Sequence, residues 1–150
     1  MEHLDPPDPI QWDERRLWFE ACEAAYARAG APAPSEQACA LMIDLQATFC
    51  AGAWAACVIL AAAIVESQGR VAGSRVAAPP GVERGDARWL RALRNRLVHE
   101  NRESPAFTID DQWMRRDRWE RHARRAVGIA LAALYPGAGI HAAARDGAVP

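Results

Sequence analysis

The sequence predicts an all-α fold, built as an up-and-down antiparallel helical bundle of four to five helices. Apolar residues recur at helical spacing along most of the 150-residue chain, and no segment shows a convincing strand pattern. Alanine, a strong helix former, occupies 33 positions, and 51% of the residues are hydrophobic. Most segments between the predicted helices are short, which favours antiparallel neighbours. This length and apolar content are typical of one domain rather than two.

Three helices are predicted in the first half of the chain. The acidic, proline-rich residues 1–10 form a flexible lead, and a first helix follows over about 11–29, ended by glycine and prolines. Ser35 caps a second helix, and the uncharged run 47–65 continues into a third. A joint near Gly52 leaves open whether the second and third are one bent helix. The apolar pattern that indicates these helices consists of Trp12, Leu17, Trp18, Cys22, Ala25 and Tyr26 on the first, a stripe of Leu41, Leu45, Thr48 and Phe49 on the second, and Trp54, Val58, Ile59, Ala62 and Val65 on the third.

The second half is predicted to hold a mobile loop and two further helices. Residues 69–85 are rich in glycine and proline and form the loop. Asp86 caps a helix that runs to about Asn101, and one aspartate of the pair 110–111 caps a last long helix that ends near Tyr135. The predicted domain organisation is therefore a single helical domain over 11–135 between the lead and a C-terminal tail over 136–150.

The net charge of −1 conceals two opposed blocks. Residues 1–83 contain 5 arginines and 11 acidic residues, whereas residues 84–125 contain 12 arginines and 7 acidic residues. The second block has an excess of positive charge, which can mark an anion-binding region. All 18 basic residues are arginine, whose planar fork binds phosphate through two hydrogen bonds. An arginine-only composition also suits a GC-rich genome.

The cysteines and the N-terminus indicate a cytoplasmic protein. The four cysteines show no zinc-binding spacing, so they are predicted to be small buried residues, and neither a metal site nor a cofactor is expected. Cys50 and Cys57, seven residues apart, are expected to share a helix face. The N-terminus lacks the pattern of a secretory signal. The run 47–65 has 19 uncharged residues, enough to span a bilayer, but eight are alanine, so we predict a buried helix and no membrane association.

The most informative segment is WLRALRNRLVHEN, residues 89–101. Leu90, Leu93 and Leu97 fall at i, i+3 and i+7 and predict one buried stripe. At about 100° per residue, His99 lies about 160–180° from the middle of that stripe. His99 is therefore not expected to face the core of its own bundle.

Two further polar residues precede this histidine. Asn95 lies one turn before His99 on the same face, where it can orient the imidazole ring. Arg94 points about 140° away from His99 on an ideal helix. The two side chains can share a ligand only if the arginine reaches around the helix or if two copies of the chain face each other.

The series Arg94-Asn95-x-x-x-His99 resembles the R-polar-x-x-x-H motif of the HEPN domain family (higher eukaryotes and prokaryotes nucleotide-binding). The run that ends at Glu66 resembles the helix that precedes the motif in many members, and the helix that ends near Leu134 resembles their last one. The similarity covers roughly residues 36–135.

The resemblance implies an all-α bundle that usually dimerises and, in catalytically competent members, metal-independent RNA cleavage. There the RNA 2′-OH attacks the adjacent phosphorus and leaves a 2′,3′-cyclic phosphate and a 5′-OH. Carried onto this chain, His99 moves the proton, Arg94 holds the phosphate and Asn95 is the polar neighbour. RNA, a second copy with the cleft at the interface, and an antitoxin or defence-system protein are the partners implied. Members regulated by a nucleotidyltransferase often carry tyrosine where this chain has Asn101, so the resemblance does not extend to that regulation.

The last predicted helix opens with an arginine-rich segment. Arg118, Arg121 and Arg125 share one face, opposite a stripe formed by Trp119, Ala123, Ala126, Ala130 and Leu134. This basic face is either simply solvated or guides RNA, with Arg91 as a fourth candidate contact. Trp113 either stacks on a base or packs in the core. Glu66 either pairs with a motif arginine or is merely exposed.

Three functional hypotheses follow. The first is a HEPN-type endoribonuclease that acts as a toxin or in phage defence. The second is a non-catalytic HEPN-like module that mediates dimerisation or binds a partner protein or nucleotide. The third is an unrelated membrane-associated helical protein built on residues 47–65.

Overall fold

The structure, a computed structural model, describes residues 5–27, 33–71 and 78–137 and confirms the all-α prediction. In these ranges every regular element is a helix, and six helices are present where four to five were expected. They are α1 (Pro9–Tyr26), α2 (Glu36–Cys50), α3 (Trp54–Val71), α4 (Arg84–Val98), α5 (Ile109–Met114) and α6 (Arg116–Leu134).

The core forms around α3 and α6, the most extensive helix pair in the described part of the chain. Alanines on both helices are buried, and small side chains let two helix backbones approach closely. The stripe predicted for α6 is confirmed, because all five of its residues are buried: Trp119, Ala123, Ala126, Ala130 and Leu134.

An aromatic cluster joins the first three helices. Phe49, 0% exposed, stacks on Trp18 at 4.8 Å between ring centroids and contacts Phe19 and Trp54 at 5.9 and 5.4 Å. Burying an aromatic side chain of this size contributes about 2–3 kcal/mol to stability. Phe19, rather than Trp12, is therefore the principal core residue of α1.

Four of the apolar residues assigned to these helices lie outside the core. Trp12 and Leu17 on α1 are 38% and 57% exposed, Ala25 on α1 is exposed, and Ile59 on α3 is 37% exposed. The apolar stripe of an amphipathic helix covers only part of its circumference, so neighbouring apolar residues fall outside it. Leu45 on α2 and Val58 on α3 are buried.

Helices α1 and α6 both lie against the α2–α3 turn with their N-terminal parts. The Arg15 guanidinium of α1 donates to the carbonyl oxygen of Cys50 at 3.0 Å. The guanidinium of Arg116, the first residue of α6, donates to the carbonyl oxygen of Gly52 at 3.0 Å. We call this end of the molecule the turn end.

Contacts at the opposite end fix the helix directions. The Tyr135 hydroxyl, just after α6, donates to Glu23 near the end of α1 at 2.9 Å. The Gln68 amide near the end of α3 donates to the Ser35 hydroxyl at the start of α2 at 3.3 Å. Helix α2 therefore runs opposite to α1 and α3, and α6 runs in the same direction as α1.

The uncharged run 47–65 is divided between two helices. Gly52 adopts φ +73°, a left-handed conformation that glycine adopts without steric cost, and this turn ends α2. Among the residues that the structure describes, no helix is both long and apolar enough to cross a membrane. Cys50 and Cys57 are both buried, but they lie on α2 and α3, so the expectation of one shared helix face is wrong.

The helix boundaries of the first half differ in detail from those predicted. Helix α1 begins at Pro9, where the Asp8 carboxylate accepts a hydrogen bond from the backbone N–H of Gln11 at 2.9 Å. The last two residues of the predicted lead 1–10 are therefore helical. The helix ends at Tyr26 rather than near 29. Cys39 is exposed and Cys22 only partly buried, so the burial predicted for the cysteines holds for the other two.

The loop was predicted over residues 69–85, but helices extend into this range from both ends. Helix α3 extends to Val71, and α4 begins at Arg84 after Glu83 rather than after Asp86. Residues 72–77 of the loop and residues 138–150 of the predicted tail lie outside the described residues.

The last long helix is in fact two helices. Thr108, not an aspartate, caps α5: its hydroxyl accepts from the Asp111 N–H at 3.1 Å, and the Asp111 carboxylate accepts from the Thr108 N–H at 3.0 Å. This reciprocal arrangement is a capping box. Arg115, at φ −127° and ψ 29°, separates α5 from α6.

Candidate functional site

The motif arginine is held in place before any ligand binds. Leu90 and Leu93 are 1% and 9% exposed, as predicted, whereas Leu97, the third residue of the predicted stripe, is only partly buried. Helix α4 packs mainly on α3. This packing brings Arg94 beside Glu66 of α3, and an Nη2–Oε1 ion pair joins the two side chains. The interpretation of Glu66 as a partner of a motif arginine is thereby confirmed.

Asn95 holds the same guanidinium from its other side. The Arg94 Nη1 group donates to Oδ1 of Asn95 at 2.8 Å. Asn95 was expected to orient the ring of His99, but its amide oxygen is directed to Arg94 instead. The link between Asn95 and His99 is a backbone one, since the His99 N–H donates to the Asn95 carbonyl oxygen at 2.9 Å.

His99 lies just beyond the helix rather than within it. Helix α4 ends at Val98, and His99 occupies the C-cap with extended dihedrals, φ −116° and ψ 94°. The prediction that the helix runs to Asn101 is therefore wrong, and an angle calculated on an ideal helix does not apply to this side chain. His99 is nonetheless exposed, as expected.

The Arg94 and His99 side chains do not meet within one chain. Among the described residues, neither a hydrogen bond nor a ring contact joins the His99 imidazole to another side chain. The guanidinium and the imidazole therefore extend from α4 and its C-cap as separate groups. The expectation of a cleft shared by two copies concerns a second chain and stays a prediction.

The four predicted RNA-binding arginines are all exposed, but their surroundings differ. Arg125 pairs with Asp86 of α4 at 2.7 Å and lies 4.1 Å above the centre of the Trp89 ring. Arg121 pairs with Asp117 at 2.9 Å. Within the described ranges, Arg91 and Arg118 have no carboxylate partner. A phosphate would therefore meet least competition at Arg91 and Arg118.

His122 is a residue of this surface that the sequence analysis did not identify. Its ring lies 5.7 Å from that of Trp89 and 5.4 Å from that of Trp119, between α4 and α6. Burial lowers the pKa of His122, and the positive charges of Arg118, Arg121 and Arg125 lower it further. The only sequence feature that indicates this ring contact is the spacing of Trp119 and His122, three residues apart on one helix.

The two tryptophans near the arginines separate into a core residue and a surface residue. Trp119 is 3% exposed and packs in the core, whereas Trp113 of α5 is 42% exposed. Core packing is therefore wrong for Trp113, and stacking on a base stays a prediction. No cluster of three or more His, Cys, Asp or Glu side chains within the described residues is arranged to hold a metal ion.

Comparisons of the chain with protein-family models, with curated proteins and with solved structures find no match.

Proposed function

We propose that this protein is a metal-independent endoribonuclease of the HEPN type. The observation that carries the proposal is the fixed position of Arg94, held between Glu66 and Asn95 five residues before the exposed His99. A guanidinium that is already oriented can stabilise the charge that develops on a phosphorane. An imidazole can accept and donate protons near neutral pH.

The proposed reaction is an internal transesterification of RNA. The 2′-oxygen forms a bond to the adjacent phosphorus, and the bond between that phosphorus and the 5′-oxygen of the next nucleotide breaks. The proton of the 2′-OH passes to an imidazole, and the leaving 5′-oxygen receives a proton. His99 moves protons in this scheme, and Arg94 holds the non-bridging phosphate oxygens.

A homodimer would complete the site. Because Arg94 and His99 do not meet within one chain, we propose that they act in a cleft formed by two copies of α4. The cleft would also contain Val98, which is 45% exposed directly before His99. Arg91, Arg118, Arg121 and Arg125 would guide the RNA backbone towards this cleft from the α4–α6 surface.

Cleavage assays with matched variants test the proposal. Purified wild type in EDTA should cleave single-stranded RNA and leave 2′,3′-cyclic phosphate and 5′-OH ends. His99→Ala and Arg94→Gln should each lower the rate by at least about a hundredfold, the usual size of an acid–base or oxyanion contribution. Arg102→Gln, which removes a charge that is 91% exposed three residues after His99, should retain activity. Equal rates for wild type and His99→Ala on varied RNAs would refute the nuclease.

The second candidate is a non-catalytic HEPN-like module that dimerises or binds a partner protein or nucleotide, such as an antitoxin or another defence-system protein in the cytoplasm. One observation favours it: Glu66 already neutralises Arg94, so the site can be stable without a phosphate. This candidate predicts binding that survives His99→Ala and fails after Arg94→Gln, with no cleavage by any variant.

A further inference from the structure

Two arginines from distant parts of the chain converge on the turn end. Arg15 of α1 and Arg116 of α6 both extend over the indole of Trp54, with guanidinium carbons 4.9 and 5.8 Å from its ring centroid. A Cβ placed on Gly52 would lie 2.9 Å from a terminal nitrogen of each of them. The two positive groups are therefore close neighbours.

These two arginines differ from the other arginines of the same helices. Within the described residues, neither Arg15 nor Arg116 has a carboxylate within ion-pair distance, and each donates only to a neutral backbone carbonyl. Of the carboxylates near them in sequence, Asp13 and Glu20 are engaged by Arg16, Asp117 by Arg121 and Glu120 by Arg124. Glu14 is exposed and forms no ion pair with Arg15.

Two hydrogen-bond donors of this cluster also lack an acceptor. The Nη1 group of Arg116 and the Nε1 group of Trp54 are buried, and neither has a hydrogen-bond partner. Trp54 as a whole is only 4% exposed. Burial, and then repulsion from Arg15, lowers the pKa of Arg116, and the negative charge of Glu120 offsets this only in part. Two partly buried like charges with unpaired donors are costly unless an anion compensates them.

The N-terminus of α3 adds positive potential at the same place. Helix α3 starts at Trp54 and has no acidic residue in its first turn, whereas the first turn of α6 contains Asp117. The N–H groups of a first helical turn have no partner within their helix and favour a bound anion. The guanidinium pair, the unpaired donors and the start of α3 thus all favour a negatively charged ligand.

We propose that the turn end is a binding site for a phosphate group, held by the guanidinium groups of Arg15 and Arg116 beside Trp54. Arginine pairs suit phosphate because each planar fork can donate two hydrogen bonds to its oxygens. The phosphate is either inorganic phosphate or a phosphodiester of RNA. Glu66 and Arg94 lie twelve or more residues further along α3 or on α4, so the site is separate from the proposed catalytic one and does not depend on cleavage activity.

A titration followed by NMR tests the proposal. The full chain, labelled with ¹⁵N, is titrated with inorganic phosphate at constant ionic strength, and the indole N–H signals are followed, with that of Trp54 assigned by Trp54→Phe. The proposal expects a saturable shift of the Trp54 signal. Arg15→Gln and Arg116→Gln should each weaken binding about tenfold or more, the loss expected for a charge-assisted hydrogen bond. Arg102→Gln, which removes a 91% exposed arginine outside α1, α3 and α6, should leave the affinity unchanged.

A second arm distinguishes the sources of the phosphate and uses wild type alone. A 2′-O-methyl RNA oligonucleotide, which cannot be cleaved through its 2′-oxygen, should shift the same indole signal if the site holds an RNA phosphodiester. If only inorganic phosphate shifts it, the site holds a free phosphate group. The absence of a saturable Trp54 shift with both probes overturns the proposal, as does undiminished affinity in both arginine variants.

Discussion

Glu66 neutralises Arg94 from the neighbouring helix. The ion pair joins α3 to α4, and the two side chains are 34% and 26% exposed. A pair this accessible to water contributes at most about 1 kcal/mol to stability. Its main effect is therefore on the guanidinium, which is oriented by the carboxylate but also neutralised by it.

The first prediction concerns the charge of Glu66. Glu66→Gln keeps an oxygen that can accept from Arg94 but removes the negative charge that competes with phosphate. We expect single-stranded RNA to bind several-fold more tightly and the free energy of unfolding to fall by less than about 1 kcal/mol. Fluorescence anisotropy with a 2′-O-methyl oligonucleotide and urea denaturation measure the two effects.

Asp44→Asn provides the charge-matched control for this variant. Asp44 is exposed in the middle of α2, a helix that does not contact α4 within the described residues, so its substitution changes the net charge equally without touching the site. Equal gains in RNA affinity for both variants would show a general electrostatic effect and contradict a specific role of Glu66.

The sequence predicts the helical core well where one signal dominates locally. Ser35 caps α2 as expected, and Leu90 and Leu93 form the buried stripe of α4. Prediction from the sequence fails where several possible helix caps lie within a few residues of one another. Thr108 and Asp111 cap α5 jointly, and sequence alone favours the aspartates because aspartate is itself a strong cap.

In the candidate site, too, the sequence predicts some contacts and not others, here between residues far apart in the chain. The contact between Glu66 and Arg94 could be anticipated because a single motif and a single preceding helix were involved. The convergence of Arg15 and Arg116 could not, because 101 positions separate them and only the packing of α1 and α6 on one turn brings them together. No glycine or proline marks the end of α4 at Val98, which explains the misplaced helix end.

The second prediction concerns the capping box of α5. Thr108→Ala should lower the free energy of unfolding by about 1 kcal/mol, because the Asp111 N–H loses its acceptor. Asp111→Ala should cost at least as much, and the double variant less than the sum, since both remove one reciprocal arrangement. Asp110→Ala, an exposed change in the same turn, is the control for urea denaturation.

This cap also predicts a loss of stability in acid. Burial raises the pKa of Asp111, but hydrogen bonds from Thr108 and Arg115 outweigh it, so the pKa is lowered overall. A carboxyl group with a lowered pKa stabilises the fold above its unfolded pKa of about 4, and this contribution is lost as the pH falls below that value. Asp111→Ala should flatten the stability profile in this range, and an unchanged slope would contradict the assignment.

The third prediction ranks three glycines by the space around them. At Gly81, φ is +87° and a Cβ would lie 2.5 Å from the Ala132 carbonyl oxygen, a backbone atom that cannot easily move. At Gly52 the nearest atoms belong to flexible arginine side chains. Gly81→Ala should therefore destabilise more than Gly52→Ala, which should cost about 1–2 kcal/mol for its left-handed conformation.

Gly85→Ala should have the opposite sign. Gly85 lies in the first turn of α4, and a Cβ there would meet no atom within 4 Å. Alanine at this position should stabilise by up to about 1 kcal/mol, since glycine has the lower helix propensity. Thermal denaturation of the three variants gives the order directly, and a destabilised Gly85→Ala would contradict the placement of α4.

The last prediction concerns His122 and pH. Burial and three neighbouring arginines lower its pKa below the ordinary 6.5, so the folded state disfavours the protonated ring. Below about pH 6.5 the unfolded chain then binds more protons than the folded chain at this position, and stability must fall as the pH decreases. His122→Phe keeps a ring between Trp89 and Trp119 but cannot titrate. Urea denaturation between pH 7 and pH 5 should show a smaller loss of stability for this variant than for wild type, whereas parallel profiles would show that another group causes the acid sensitivity.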